Sequence, residues 1–524
     1  MTWKLLLLAS FGFSGHASDD LDDGSVAGRI EDPELSTLVT RWQVCGTRCY
    51  HQLYPNWAAQ ARELAPKLVG TDAVDAHAAA WQLDRLAWRR SGCLESTSPL
   101  RPYWAFTPAY LNGKGGLLAG HEAKLRGRVE EGMVLRRDEI EAVIAEYRDI
   151  EVTIRKDGVR MATYPTESGE PATVQVGTAL LRSVENYLSY LEDELLPSIH
   201  TISTTSTRCY AERIAILLGE DRDPHELHVQ ALSQLRDNRE RTVAQGEAPW
   251  AEVRRHLMAQ TFDSEAEVLD FARQAVIDGR SSTQDVLEDM ELGACDVERG
   301  VDWAGLYHPA TPGVVGWWQV DVLDPQNTPR VLVRSIGAHE CWPGHHVQMS
   351  FETAPDLPRF RTEIDTRIFI EGWATYAENL PNERGYLRDA DEELGPLVMD
   401  AWRTTRVLVD TGIHAEGWTL EQARDAYREW TILPEHQIDR ELETIAKQPA
   451  WLLAHKLGGE AFRALRAEAE AALGDDFDAR EFHRLLLREG EVPLPALRVL
   501  VREWLAGRIK PAASTAPEPA PAGP

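Results

Sequence analysis

The chain has 524 residues, 43% of them hydrophobic, which is ample apolar material for a large core. Its 84 acidic against 55 basic residues give a net charge of −29, which argues against nucleic acid or an anionic membrane surface as partner. Neutral or cationic ligands suit such a field better, and away from the N-terminus no apolar run approaches the ~20 residues of a membrane span.

The first segment has the layout of a secretory signal: Lys4, an apolar run from Leu5 to Phe13, then the small-x-small sequence Gly15-His16-Ala17. Residues 1–17 are thus expected to be removed and the protein exported, to the periplasm or the medium; an uncleaved leader would leave it cytoplasmic. No cysteine lies at the cleavage position to carry a lipid. In an oxidising compartment Cys45 and Cys49 have the spacing to bridge, with Cys93 and Cys209 as further partners. Cys341 reads as a small packed side chain.

From 18 to 510 the chain reads as one mainly α body, with a looser division near residue 300 and the active-site half after it. Apolar residues recur every three or four positions over Leu135–Tyr147, Val176–Leu196, Ser264–Asp278, Leu420–Trp430 and Phe462–Leu473. Strand-like patches are short: Ile150–Ile154, Arg160–Tyr164, and Gly316–Val322 between Pro312-Gly313 and Asp324-Pro325. The last precedes the first clustered histidine by about twenty residues, where a zinc peptidase places an edge strand for an extended substrate. A small sheet next to the active-site helix is therefore expected. Residues 511–524 are nearly all Pro, Ala, Ser, Glu and Gly and are expected to be disordered.

The chemistry concentrates in His339-Glu340-Cys341-Trp342-Pro343-Gly344-His345-His346-Val347-Gln348 and Glu371-Gly372-Trp373-Ala374-Thr375-Tyr376-Ala377-Glu378. Three imidazoles and several carboxylates within forty positions form the side-chain set that holds zinc and activates a water on it. The spacing differs from His-Glu-x-x-His, since Pro343 takes the fifth position. An unbroken helix would put His346 about 20° from His339 but roughly 10 Å further along, and would turn His345 about 120° away. Pro343, however, lacks the N–H that would bond the carbonyl of His339, and Gly344 opens backbone conformations closed to other residues. The path can therefore swing one histidine back toward His339. His345 is preferred by a small margin; the other histidine becomes a donor that orients a ligand or contacts an oxyanion.

His-Glu-x-x-Pro-Gly-His-His-x-Gln followed by Glu-Gly-Trp-Ala-x-Tyr-Ala-Glu resembles the bacterial proteins grouped as domain of unknown function 885 (DUF885). Asp410-Thr411-Gly412-Ile413-His414, Phe482-His483 and Gly490 to Leu494 extend the likeness. That family is similar to the gluzincins, zinc peptidases whose third ligand is a glutamate on a following helix, which implies a helical zincin-like metallopeptidase body. The resemblance implies His339, one of His345 or His346, and Glu371 as zinc ligands, with Glu340 as general base. Glu340 must stay off the metal, because it takes a proton and passes it to the leaving amine. Glu378 either orients a ligand or lies on a polar surface. One stretch departs from the family: Thr444-Ile445, Pro449-Ala450-Trp451 and His455 stand where Arg-Tyr, Pro-Gly-Gln and a later Tyr are expected, which bears on substrate preference.

Trp317, Trp318, Trp342 and Trp373 read as core before subsite. Arg406 lies on a helix ending near Gly412, with His414 just past that end; either can stabilise an oxyanion, Arg406 with ordinary ion pairing as the simpler reading. The expected activity is a zinc-dependent hydrolase of peptides, of carboxypeptidase or oligopeptidase type, with His346 and His414 as catalytic donors beside Glu340. A hydrolase of another small amide or ester, and a binding protein on a peptidase fold, are the alternatives. Oligomeric state is left open.

Overall fold

The computed structural model describes residues 28–45, 54–89, parts of 118–198, 207–287, 292–300, 305–351 and 357–508, with a few short breaks. The signal segment, the Pro-rich tail and Cys49, the expected partner of Cys45, lie outside the described residues.

The architecture is mainly α with one small mixed sheet. Helices α1 (Pro33–Cys45), α2 (Tyr54–Leu64) and α3 (Gly70–Arg89) share a core with Phe360 and Ile364. Next come α4 (Arg137–Lys156), the hairpin β1 (Ala162–Pro165) and β2 (Pro171–Val174), and α5 (Thr178–Ser189), whose end continues as a π-turn over Tyr190–Leu195. Helices α4 and α5 pack around Tyr147, Tyr187 and Leu191. The patch Ile150–Ile154, expected as a strand, is instead the last stretch of α4. Its β-branched residues cost only tenths of a kcal/mol each in a helix, and tertiary packing outweighs that.

The largest core joins Val74 of α3 to residues from Tyr210 to Leu505 and takes in the sheet and the helices around the histidine motif. Its helices are α6 (Thr207–Leu218), α7 (Pro224–Gln245), α8 (Trp250–Ala259) and α9 (Glu265–Thr283), then the sheet β3 (Cys295–Gly300), β4 (Leu306–His308) and β5 (Gly316–Asp321). After the sheet follow α10 (Arg330–Glu340), α11 (His345–Ser350), α12 (Arg367–Ala377), α13 (Gly395–His414), α14 (Leu420–Trp430), α15 (Glu435–Lys447), α16 (Leu453–Leu473), α17 (Ala479–Arg488) and α18 (Leu494–Arg508). Local signals set several starts. Ser264 caps α9 by accepting from the Glu267 N–H, and Thr419 with Gln422 forms a capping box on α14, each cap stabilising by about 1 kcal/mol.

The strand order is β3-β5-β4, with β5 parallel to β3 and antiparallel to β4. The Gly316–Val322 patch was expected at an edge, but both of its sides are paired, and β3 and β4 are the edges. The burial of Trp318, Val320 and Asp321 accounts for the central position, since a strand so covered sits between neighbours.

Helix α12 is apolar on all sides, and every residue from Ile368 to Ala377 is buried, as expected of a helix at the centre of a core. It crosses α16 at backbone contact. A Cβ on Gly372 would lie 2.9 Å from the Gly458 backbone, and one on Gly458 would lie 2.5 Å from the Ile368 carbonyl oxygen. This approach sets Glu371 of α12 against His455 of α16.

Candidate metal centre

Helix α10 stops at Glu340, and residues 341–344 turn the chain before α11 begins at His345. The break at Pro343 is the one its missing N–H predicts. Gly344 donates to the Ala338 carbonyl at 3.0 Å and lies so close to His339 that a Cβ there would be 1.6 Å from the His339 carbonyl oxygen. Only glycine fits. Trp373, fully buried on α12, lies 3.2 and 3.3 Å from the Pro343 and Gly344 carbonyls through its indole N–H, so it fastens the turn to the helix that carries Glu371. Cys341 forms a disulfide to Cys295 of β3, which corrects its reading as a packed thiol and ties the turn to the sheet. No free cysteine occurs among the described residues.

The turn brings His345, not His346, to His339. Ligand atoms of His339, His345 and Glu371 all lie within 4.8 Å of one another, and all three residues are buried. The Nε2 atoms of His339 and His345 are each 3.5 Å from Glu371 Oε2. His455, a residue the motif reading left out of the site, stands closer still, its Nε2 at 3.0 Å from the same oxygen and its ring stacked on that of His339. The signal for it in the sequence was the departure at 444–455. On the other carboxylate oxygen, Arg367 donates at 3.0 Å, and Trp451 of the same departing stretch covers that guanidinium at 3.9 Å.

Behind the cluster Glu378 holds His339 by its other nitrogen, Oε2 to Nδ1 at 3.5 Å, and Arg403 clamps Glu378 with both terminal nitrogens, one at 2.6 Å. Glu378 is therefore buried against His339 and does not lie on a polar surface. Glu378 and Arg403 also line a cavity of about 500 Å³ with Thr375, Asp400, Lys456 and Arg463.

Charge follows from these contacts. Burial works to raise the Glu371 pKa, but His455 and the hydrogen-bonding imidazoles around it hold the carboxyl well below the usual range. Burial works against a charged His339, yet Glu371 and Glu378 outweigh it and bring its pKa to about 9. Burial would raise Glu378 too, and Arg403 brings it down. Glu340 is buried at 5% exposure, and its carboxylate has no hydrogen bond or ion pair among the described residues. One of its oxygens faces Gly305, at the start of edge strand β4, where a Cβ would lie 3.3 Å away.

His346 and His414 are placed elsewhere. His346 Nε2 donates to the Gly293 carbonyl and its Nδ1 accepts from the Tyr307 hydroxyl, both at 2.9 Å. Both nitrogens are engaged, so His346 joins α11 to the sheet region and has none left for a metal or substrate. His414 is the last residue of α13 and not beyond it, because Gly412 is helical and makes room for the Trp418 ring, 2.5 Å from where a Cβ would sit. Its ring packs on Tyr210, its Nε2 donates to the Ile445 carbonyl at 3.1 Å, and burial lowers its pKa to about 4. Arg406 is paired with Glu441 through two 2.7 Å bonds. Trp318, Trp342 and Trp373 are core, and Trp317 stacks on His308.

No curated protein matches the chain. Among solved structures it is similar to a "putative lipoprotein" from Colwellia psychrerythraea, with TM-score 0.63 and 20% identity over 87% of this chain and 92% of that one. A second, a "putative lipoprotein of unknown function" from Shewanella oneidensis, has TM-score 0.63 and 14% identity over 92% of this chain and 94% of that one. At such identities the likeness is one of fold. Residues 96–501 match the family model described as bacterial protein of unknown function, and the chain belongs to this family, DUF885.

Proposed function

We propose that this chain is a zinc-dependent hydrolase acting on peptides, of carboxypeptidase or oligopeptidase type. The observation that carries the reading is a pairing: a buried His339–His345–Glu371 donor set beside Glu340, a buried carboxylate without a partner. A carboxylate that makes no hydrogen bond or ion pair to the protein and stands beside the donor set is free to take a proton from a water there, which is what a general base must do.

The donor set fits zinc: two imidazoles and one carboxylate leave a position open, the pattern of catalytic rather than structural sites. Glu378 and Arg403 hold the His339 ring from behind, the support a ligating imidazole ordinarily has. Bound there, zinc supplies Lewis-acid polarisation and a more acidic water. Glu340 takes the proton of the attacking water and delivers it to the leaving amine. Edge strand β4 begins just after Gly305, which lies beside Glu340, and Leu306, Val314 and Val315 expose apolar side chains around it, a surface on which an extended peptide pairs by its backbone. Arg367, about 29% exposed beside Glu371, offers a cation for a peptide carboxylate.

An exported location accords with the signal-like leader, with the Cys295–Cys341 bridge and disulfide-bonded Cys209, and with the lipoprotein descriptions of the two structural relatives. Among the described residues no helix is long and apolar enough to cross a membrane. Metal analysis of the purified protein, followed by digestion of a peptide library with the zinc-loaded form, tests the reading. About one zinc per chain with cleavage of short peptides is expected; zinc with no peptide cleaved moves the activity to other amides or esters or to binding alone.

A further inference from the structure

We propose that the cavity lined by Glu378 and Arg403 is a second binding site, separate from the metal centre, that takes a small organic carboxylate.

The cavity lies between α7, α12, α13 and α16, and none of His339, Glu340, His345 and Glu371 lines it. Its volume of about 500 Å³ is that of a small-molecule site and leaves far more room than an inorganic ion needs. Three observations point to the ligand. The first is an uncommitted cation. Of the lining residues, Arg403 is spent on Glu378, and Lys456 is held by Asp400 at 2.7 Å and by Glu460 at 3.3 Å. Arg463, half-buried on α16, makes no hydrogen bond or ion pair among the described residues. Asp400 feels its field, but that carboxylate is already taken by Lys456 and Asn238.

The second is a pair of unused buried donors. Thr375 and Arg403 are 3% and 4% exposed, both line the cavity, and Thr375 Oγ1 and Arg403 Nε have no hydrogen-bond partner. Both terminal nitrogens of Arg403 go to Glu378, so its Nε–H is the donor left over. Buried donors without partners are uncommon in a finished fold, and a ligand oxygen completes them. The third is proximity. A Cβ on Gly459 would lie 2.6 Å from Thr375 Cγ2 and 3.5 Å from Arg463 Nη1, so the threonine side chain and the arginine head meet over one residue of α16.

Two guanidinium groups and a hydroxyl, all donors, match the paired acceptor oxygens of a carboxylate. The site also borders the metal centre, since Glu378 and Arg403 both touch His339.

The test is calorimetric titration of the full-length protein with succinate, at constant ionic strength, before and after metal is removed with a chelator. One succinate per chain is expected in both forms. Arg463→Gln and Thr375→Val should each weaken binding by at least ~10-fold, with circular dichroism confirming that each variant is folded. The absence of saturable binding, or equal affinity in both variants, overturns the proposal. Binding that disappears with the metal places the carboxylate at the metal centre and overturns it as well. Succinate bound by a chain that never holds zinc leaves this site standing while the zinc reading fails, so the two are judged separately.

Discussion

His345 and His346 are adjacent on α11, both buried, and do opposite things. His345 turns its Nε2 to Glu371 and has no partner for its Nδ1, whereas His346 has both nitrogens bonded, to Tyr307 and Gly293. Of the cluster around Glu371, His345 therefore keeps one nitrogen without a protein partner, and the junction around His346 is complete without any ligand. The difference teaches that burial does not identify a functional histidine. What identifies it is a hydrogen-bonding capacity that the fold leaves unused.

The sharpest way to break the comparison is to remove one member from each region. His339→Ala or Glu371→Ala should abolish stoichiometric zinc, measured by elemental analysis after gel filtration, because neither remaining pair suffices. Equal zinc in wild type and both variants would remove the site as drawn. Glu340→Gln keeps shape and zinc but cannot accept a proton, so hydrolysis should fall by at least ~100-fold. Peptide cleavage at the wild-type rate would show that Glu340 is not the base.

A pH titration sharpens the contrast further. In the metal-free fold His339 has a pKa of about 9, raised above its ordinary 6.5. The stability it contributes is therefore complete below pH 6.5 and is lost as pH rises through 9. Zinc must displace that proton, so apparent affinity should rise by about tenfold per pH unit from pH 6.5 and level off near 9. Chelator competition checks the slope, and a flat profile over that range contradicts the His339 assignment.

In the other region, His346→Phe should leave zinc within a few-fold of wild type and lower unfolding stability by about 1–3 kcal/mol, the cost of orphaning buried polar partners. Loss of zinc in that folded variant would make the junction part of the centre. The smallest effect concerns the departing stretch. Ala450 stands where the family has glycine, at φ 66, with its N–H donating to Asp410. Ala450→Gly should stabilise the protein by about 1 kcal/mol in thermal unfolding, since the left-handed region disfavours a Cβ. A lower melting temperature would contradict this.

Much of this was legible in sequence because it rests on local chemistry. Helical periodicity placed α9 and α14 closely and caught the second half of α16, and Pro343-Gly344 announced both the end of α10 and the return of a histidine. The helix carrying Arg406 was legible, but it ends at His414 rather than before it, and what the two side chains face was not legible, since Ile445 and Glu441 come from α15, some 30 residues on. The strand order failed for the same reason: alternation along Gly316–Val322 tells which face is buried, and pairing on both sides depends on residues 295–308.

The sequence by itself determined the residue types available for chemistry, the helical character of the chain and the break that separates His339 from His345, because proline and glycine act on their own backbone. Tertiary structure decided which of those residues meet. Glu371 reaches the histidines because Trp373 fastens α12 to the 341–344 turn, and His455 reaches Glu371 because two glycines let α12 and α16 touch. Such contacts join positions 30 to more than 80 residues apart, and a pattern read along one chain carries no distance between its separate segments.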